Sequence, residues 1–160
     1  MKNKYVDLIN QTFYFPTEEF KLDNNDNLEF HGIPMMDLIE QYGTPLKFTY
    51  LPKISENIQK ARTWFNVAIA KADYQGKYYY CYCTKSNHFS HVIDEVLKNN
   101  VHIETSSAFD INILENLFEQ GKISKDKFVV CNGFKKENYI ENIANLINSG
   151  WSNVWILGNG

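Results

Sequence analysis

Cysteine is scarce in this chain: three in 160 residues, an odd number that cannot all pair within one molecule. That count fits a reducing compartment and excludes a disulfide-built scaffold. No run approaches the ~18 consecutive apolar residues of a membrane-spanning helix, so a membrane is not an expected partner. The opening Met1-Lys2-Asn3-Lys4-Tyr5-Val6-Asp7 lacks the apolar core of a secretory signal, and a cytoplasmic location is the expectation. Basic excess is missing too. The formal net charge is −3, with the signs interspersed rather than gathered in a stripe, which makes nucleic acid a poor partner. There is no Gly-x-Gly-x-x-Gly fingerprint, no Walker-type loop and no Gly-x-Ser-x-Gly elbow. Dinucleotide binding and P-loop NTPase chemistry are thereby disfavoured, and no serine-nucleophile elbow is available.

What is present suits one globular domain: 44% of the residues are hydrophobic and 22% charged, enough to bury a sizeable core. Residues 1–43 read as a leader, broken by the polar turn Asp23-Asn24-Asn25-Asp26-Asn27 and by His31-Gly32-Ile33-Pro34. Met35 to Gln41 has helical spacing, ended by Gly43-Thr44-Pro45, and Leu46 to Tyr50 is expected as a strand. From residue 44 to 160 the chain alternates. Helical faces are predicted over Lys53 to Asn66, through Val92, Ile93, Val96 and Leu97, through Ile111, Leu114, Leu117 and Phe118, and from Tyr139 to Ile147. Strands are predicted at Tyr78–Thr84, Val101–Thr105, Phe128–Cys131 and Asn153–Leu157. Such alternation implies an α/β fold with a parallel sheet, and the spacing of strand starts is that of βα units. Three βα units and one strand amount to about half of an eight-stranded β/α barrel.

The segment Tyr78-Tyr79-Tyr80-Cys81-Tyr82-Cys83-Thr84-Lys85 carries the most chemistry. Alternation along a strand places Tyr79, Cys81, Cys83 and Lys85 on one side and the bulkier Tyr78, Tyr80 and Tyr82 on the other. Compact side chains beside the lysine suit a barrel interior, with Lys85 at the carboxyl end of the strand, where catalytic groups of such barrels sit. A dehydrated lysine there is a nucleophile for Schiff-base formation. A solvated lysine in a βα loop is the alternative that composition favours.

Four segments, in order, resemble the N-terminal part of the fold-type III, pyridoxal-phosphate-dependent amino-acid decarboxylases, the arginine-specific branch most closely. They are Tyr42-Gly43-Thr44-Pro45-Leu46 with the helix after it, and Cys83-Thr84-Lys85-Ser86-Asn87. The third is Ile103-Glu104-Thr105-Ser106-Ser107 with Asp110-Ile111, and the fourth Cys131-Asn132-Gly133-Phe134-Lys135. The resemblance implies a partial pyridoxal 5'-phosphate-binding barrel of the alanine-racemase-like type. It implies that Lys85 forms the Schiff base with the cofactor and that Glu104 lies close to both. Asp110 stands where the family has a glutamate and becomes a cofactor-binding candidate. The implied reaction is decarboxylation of an amino acid, arginine to agmatine in polyamine biosynthesis, in a homo-oligomer. Diaminopimelate or ornithine as substrate, a non-catalytic relative, and an unrelated α/β binding module stay open.

Other readings compete residue by residue. Glu104 either pairs with a cation such as Lys85 or sits at a watered strand end. Ser107-Ala108-Phe109-Asp110 is a Ser-x-x-acid capping box, which gives Asp110 a structural role as well. Cys81-x-Cys83 with His88 and His91 has poor zinc spacing, and His91 is expected to pack on the sheet. Asn132-Gly133 reads as a tight turn with positive φ. The family's phosphate loops and substrate-side residues lie on later barrel strands. The chain is therefore expected to be a fragment that does not decarboxylate at a useful rate alone.

Overall fold

A computed structural model describes residues 19–158. The opening heptapeptide and the last two residues of Gly158-Asn159-Gly160 lie outside them. The chain divides into two compact units, Met1–Thr49 and Tyr50–Gly160.

In the first unit, strands β1 (Phe20–Leu22), β2 (Leu28–Phe30) and β3 (Ile33–Pro34) form an antiparallel sheet in chain order. The polar turn predicted at Asp23–Asn27 closes the β1–β2 hairpin. Its Oδ1 at Asp23 accepts from the backbone N–H of Asn25 at 2.8 Å and of Asn27 at 2.9 Å, the Asx arrangement that makes aspartate a turn former. These bonds hold the Asp23 carboxyl below its ordinary pKa. Helix α1 (Met35–Tyr42) follows, close to the predicted Met35–Gln41, and Gly43 at φ 78° ends it. The strand expected over Leu46–Tyr50 does not form: residues 46–50 have no regular structure. A β-prone run becomes a strand only where an edge offers ladder partners, and none of the described strands pairs with it.

The second unit runs α2 (Pro52–Lys71), β4 (Cys81–Cys83), α3 (Ser90–Leu97), β5 (His102–Thr105), α4 (Ala108–Glu119), β6 (Val129–Cys131), α5 (Glu137–Asn148) and β7 (Val154–Ile156). Every predicted helical face is present. Proline opens α2 at a position whose N–H needs no helical partner, and the helix continues to Lys71, beyond the expected Asn66. The four strands pair in parallel in the order β4-β5-β6-β7. They are shorter than predicted: Tyr78 and Tyr79 precede the ladder, whose first bond runs from the His102 N–H to the Tyr80 carbonyl at 2.9 Å.

Side-chain alternation on β5 sends Ile103 and Thr105 into the core and leaves His102 and Glu104 half-buried. Register aligns Ile103 with Val129 and Thr105 with Cys131. On that face the helices deliver Ile93, Ile111, Leu114, Tyr139, Ile143 and Leu146. Ile58 of α2 packs with Val92, Val96 and Val101 in a second cluster, joined to the first through Tyr82 and Leu97. Each fully buried aliphatic contributes roughly 1.5–3 kcal/mol of transfer free energy. Chain-ordered parallel strands with the helices of this unit packed on one face make a singly wound α/β sheet. A doubly wound sheet would reverse its order and cover both faces. Among the described residues of this unit no helix packs on the opposite face, and the candidate chemistry lies on it.

Candidate active site

Register defines the uncovered face. Cys81 aligns with His102, and Cys83 with Glu104, Val130 and Trp155 in one rung across all four strands. An aromatic layer lies toward the amino end: Tyr79 meets Phe128 at 4.7 Å between ring centroids, and His102 stacks on Phe128 at 4.3 Å. His102 Nδ1 accepts from the Phe128 N–H at 3.0 Å. Burial first, and then the charges of Lys127 and Arg62, lower the His102 pKa below its ordinary value.

Lys85 stands at the carboxyl edge of the sheet, directly after β4. The chain leaves the strand in a turn closed by the Ser86 N–H donating to the Cys83 carbonyl at 3.1 Å. The Ser86 hydroxyl donates to the same carbonyl at 2.7 Å. Thr84, buried beside it, donates from both its N–H and its hydroxyl to the Glu104 carbonyl, at 3.0 and 3.1 Å. The segment bearing Lys85 is thus tied to the strand bearing Glu104. Lys85 itself is exposed. The expected dehydration is not seen: the residue is exposed, and no described helix of this unit packs over the face beside it.

Glu104 finds an amide rather than a cation: its Oε1 accepts from Asn132 Nδ2 at 3.0 Å. The expected pairing with Lys85 is not made, since no ion pair among the described residues involves either. Asn132 is itself fixed, its N–H donating to the Thr105 carbonyl at 2.8 Å and its Oδ1 accepting from the Gly133 N–H at 2.7 Å. Gly133 has φ 75°, and a Cβ there would lie 2.4 Å from the Ser106 carbonyl oxygen. Only glycine lets these two loops approach so closely. Beneath them the hydroxyls of Thr105 and Tyr139 share a buried hydrogen bond of 2.9 Å, and burial pushes the Tyr139 pKa up.

Cys83 completes the cluster. Burial raises its pKa, and the Glu104 charge adds to that; the Lys85 backbone N–H, and then the Lys85 charge, counter it. Cys81 is raised in the same way, by burial and then by Glu104. Glu104 and Asn132 are joined by a hydrogen bond, Cys83 shares the rung of Glu104, and Lys85 follows Cys83 by two residues. Asp110 does not join them. Its Oδ2 accepts from the Ser106 N–H at 2.7 Å and the Ser106 hydroxyl at 3.0 Å, and Ser107 caps α4 by accepting from the Asp110 N–H. The carboxylate is engaged in shaping its own helix start.

Next to these loops, Ser106, Ser107, Phe109, Phe134, Lys136 and Tyr139 line a cavity of about 400 Å³. The sequence marks Asn132 as a turn residue within a family-like segment but not as the partner of Glu104. The signal for its second role was its place two residues after Val130, on the face of Glu104. His91, expected against the sheet, is exposed and stacks on Phe89 at 5.8 Å, because it falls on the solvent side of α3. The described residues hold no cluster of three or more His, Cys, Asp or Glu able to bind a metal ion. None of their helices is long and apolar enough to cross a membrane.

No family model matches the chain. Two curated proteins are distantly similar to it, each called biosynthetic arginine decarboxylase. The one from Prochlorococcus marinus strain MIT 9303 is 24% identical over 118 residues, and the one from strain MIT 9313 is 22% identical over 118. Each match covers 68% of this chain and 18% of the relative's own length. The chain therefore spans under a fifth of the relatives it matches.

Proposed function

We propose that the chain is part of a pyridoxal-phosphate-dependent decarboxylase acting on arginine, and that its parallel sheet is the opening half of the cofactor-binding β/α barrel. One observation carries the reading: Lys85 follows the carboxyl end of β4 by two residues, and β4 is the parallel neighbour of the strand that bears Glu104. Distant similarity to two arginine decarboxylases supports the reaction class and the substrate. The chain-ordered winding supports the barrel.

The residues present fit the amine-binding end of the cofactor. Lys85 is accessible to an aldehyde, and Glu104 is held in place by Asn132 instead of being neutralised by an ion pair. Lys85 and Glu104 would hold the group; Asp110 is engaged with Ser106 and would contribute only through the shape of the loop. When bound, the cofactor supplies an electron sink for cleavage next to the amine-bearing carbon. Lys85 Nζ must lose a proton to act as a nucleophile and can return one to the reacting carbon. Glu104, on the neighbouring strand, offers that edge a carboxylate held by Asn132. Burial and the Glu104 charge disfavour the Cys83 thiolate, which weakens it as a competing nucleophile. On this reading the chain binds the cofactor weakly by itself and releases no carbon dioxide.

The test is to incubate the chain with pyridoxal phosphate, reduce with borohydride and map the labelled peptides. Label concentrated on Lys85 supports the reading. Label scattered over the fifteen lysines refutes it. The exposure of Lys85 favours a second reading, an aldehyde-binding relative without decarboxylation. That reading predicts selective label but no carbon dioxide even when the rest of a decarboxylase is supplied.

A further inference from the structure

Asn132, the residue that fixes Glu104, opens an Asn-Gly pair. An asparagine followed by glycine is the amide most open to spontaneous loss of ammonia, because no Cβ hinders the glycine nitrogen on its way to the side-chain Cγ. The chain has two such pairs, and the other, Asn159-Gly160, lies outside the described residues. In the folded chain the backbone N–H of Asn132 and both ends of its side-chain amide are taken. The N–H donates to the Thr105 carbonyl at 2.8 Å, Oδ1 accepts from the Gly133 N–H at 2.7 Å, and Nδ2 donates to Glu104 Oε1 at 3.0 Å. The turn is held beyond the pair as well. Lys135 Nζ donates to the Gly133 carbonyl at 2.8 Å, and a Cβ on Gly133 would lie 2.4 Å from the Ser106 carbonyl oxygen. Loss of ammonia needs the Gly133 nitrogen without its proton and placed over Cγ. Here that proton rests on Oδ1, and turning the side chain to the reactive geometry breaks the bond to Glu104. The contact works in both directions: the amide steadies the carboxylate, and the carboxylate keeps the amide intact.

We infer that Asn132 is a latent deamidation site which Glu104 holds shut, and that its conversion unfastens Glu104. In the reaction the Gly133 nitrogen loses its proton to water and bonds to Asn132 Cγ. The Cγ–Nδ2 bond breaks, and ammonia leaves after taking a proton from water. Water then opens the cyclic imide at either carbonyl. One opening gives aspartate, and the other gives isoaspartate, with the main chain routed through the side chain. The sum is amide plus water to acid plus ammonia, with no change of oxidation state. Aspartate at this position has no Nδ2 donor and faces Glu104 with a second carboxylate. The pair loses its bond, and one of the two groups is pushed toward its protonated form. Isoaspartate also adds a methylene to the backbone, where the approach of Gly133 to Ser106 leaves no slack. Local opening of the turn, rather than exposure, sets the rate. The inference uses the Asn132–Glu104 contact and none of the chemistry of Lys85, so it is independent of the function proposed above.

The experiment incubates the chain at mildly alkaline pH, folded and in urea, and digests it at intervals. The peptide holding Asn132 is followed by mass and by separation of its aspartate and isoaspartate forms. Wild type, Glu104→Gln and Glu104→Ala are compared, each as the ratio of its folded rate to its own rate in urea, so that the intrinsic reactivity of the pair cancels. The folded wild type should react at least about tenfold more slowly than in urea. Glu104→Ala leaves Nδ2 without its acceptor and should raise the folded rate on the order of tenfold. Glu104→Gln keeps an accepting oxygen and should lie nearer the wild type. Circular dichroism and emission from the buried Trp151 check that each variant folds. Glu104→Val, whose branched side chain suits a strand, replaces the alanine variant if that one does not fold. Asn132→Asp reads the consequence. It should melt below the wild type at neutral pH, and the gap should narrow in mild acid, where one of the two carboxylates takes up a proton. A wild type that reacts as fast folded as in urea overturns the inference, and so does a folded Glu104→Ala or Glu104→Val no faster than the wild type. A gap unchanged in acid overturns the unfastening of Glu104. Borohydride label scattered over the lysines removes the proposed function and leaves this inference untouched.

Discussion

Replacing Asp110 separates a ligand-binding carboxylate from a structural one. The side chain is 4% exposed, and its Oδ2 takes two hydrogen bonds from Ser106, at 2.7 and 3.0 Å. It also sits in the first turn of α4, where a negative charge is favoured by about 0.3–1 kcal/mol. Asp110→Asn keeps an accepting oxygen but removes the charge. Charge-assisted bonds are roughly twice as strong as neutral ones, so the expected loss is about 1–2 kcal/mol. Asp110→Ala removes the acceptor and leaves the Ser106 N–H unsatisfied, an expected loss of about 2–4 kcal/mol. At this chain length the melting temperature should fall by roughly 4 °C per kcal/mol. Urea unfolding followed through Trp151 emission measures stability, and borohydride trapping measures the rate of label entering Lys85 in the same variants. Stability should fall in the order wild type, Asn, Ala, with the Lys85 rate unchanged for the Asn variant. An Asn variant as stable as the wild type but slow to label would refute the structural assignment.

Gly133→Ala places a methyl group against the Ser106 carbonyl in a left-handed backbone, and should cost about 2 kcal/mol or more in thermal unfolding; an unaltered melting temperature contradicts the close approach. Because the folded state lowers the His102 pKa, stability should be complete above the ordinary value of 6.5 and decline as pH falls through it. His102→Asn keeps an acceptor for the Phe128 N–H and should flatten that acid limb in unfolding curves; an equally steep limb would place its origin elsewhere. Glu104→Gln removes the charge that raises the Cys83 and Cys81 thiols, so alkylation at one mildly alkaline pH should quicken at both, and unchanged rates would show the carboxylate is not beside them. Tyr139→Phe strips a buried hydroxyl from Thr105 and should cost about 1–3 kcal/mol. It should also move the alkaline limb: the raised Tyr139 pKa gives stability that is complete below the ordinary tyrosine value and lost above it, and the variant should lack that loss.

Periodicity made the helices of the second unit and the positions of its four strands legible, because each helix buries a regular stripe such as Tyr139, Ile143 and Leu146. The turn at Asn132-Gly133 was legible from chemistry alone. Leu46–Tyr50 was misread because strand propensity says nothing about whether a ladder partner exists. The pairing of Glu104 with Asn132 was missed because it depends on register between β5 and β6, which spacing along the chain does not encode. The hydration of Lys85 was misjudged for a related reason. Alternation assigns it a side of the strand correctly as far as Cys83, but what packs over that side is not encoded in the strand. His91 shows the same limit on α3, where a shift of one residue separates the sheet side from the solvent side.

Site-resolved occupancy after a short pulse of pyridoxal phosphate and borohydride, in the folded chain and again in urea, tests most directly whether the fold selects Lys85. The account predicts that Lys85 leads the other lysines when the chain is folded and becomes ordinary once it is unfolded. Equal occupancy at Lys85 in both states, or another lysine leading in the folded chain, would contradict it.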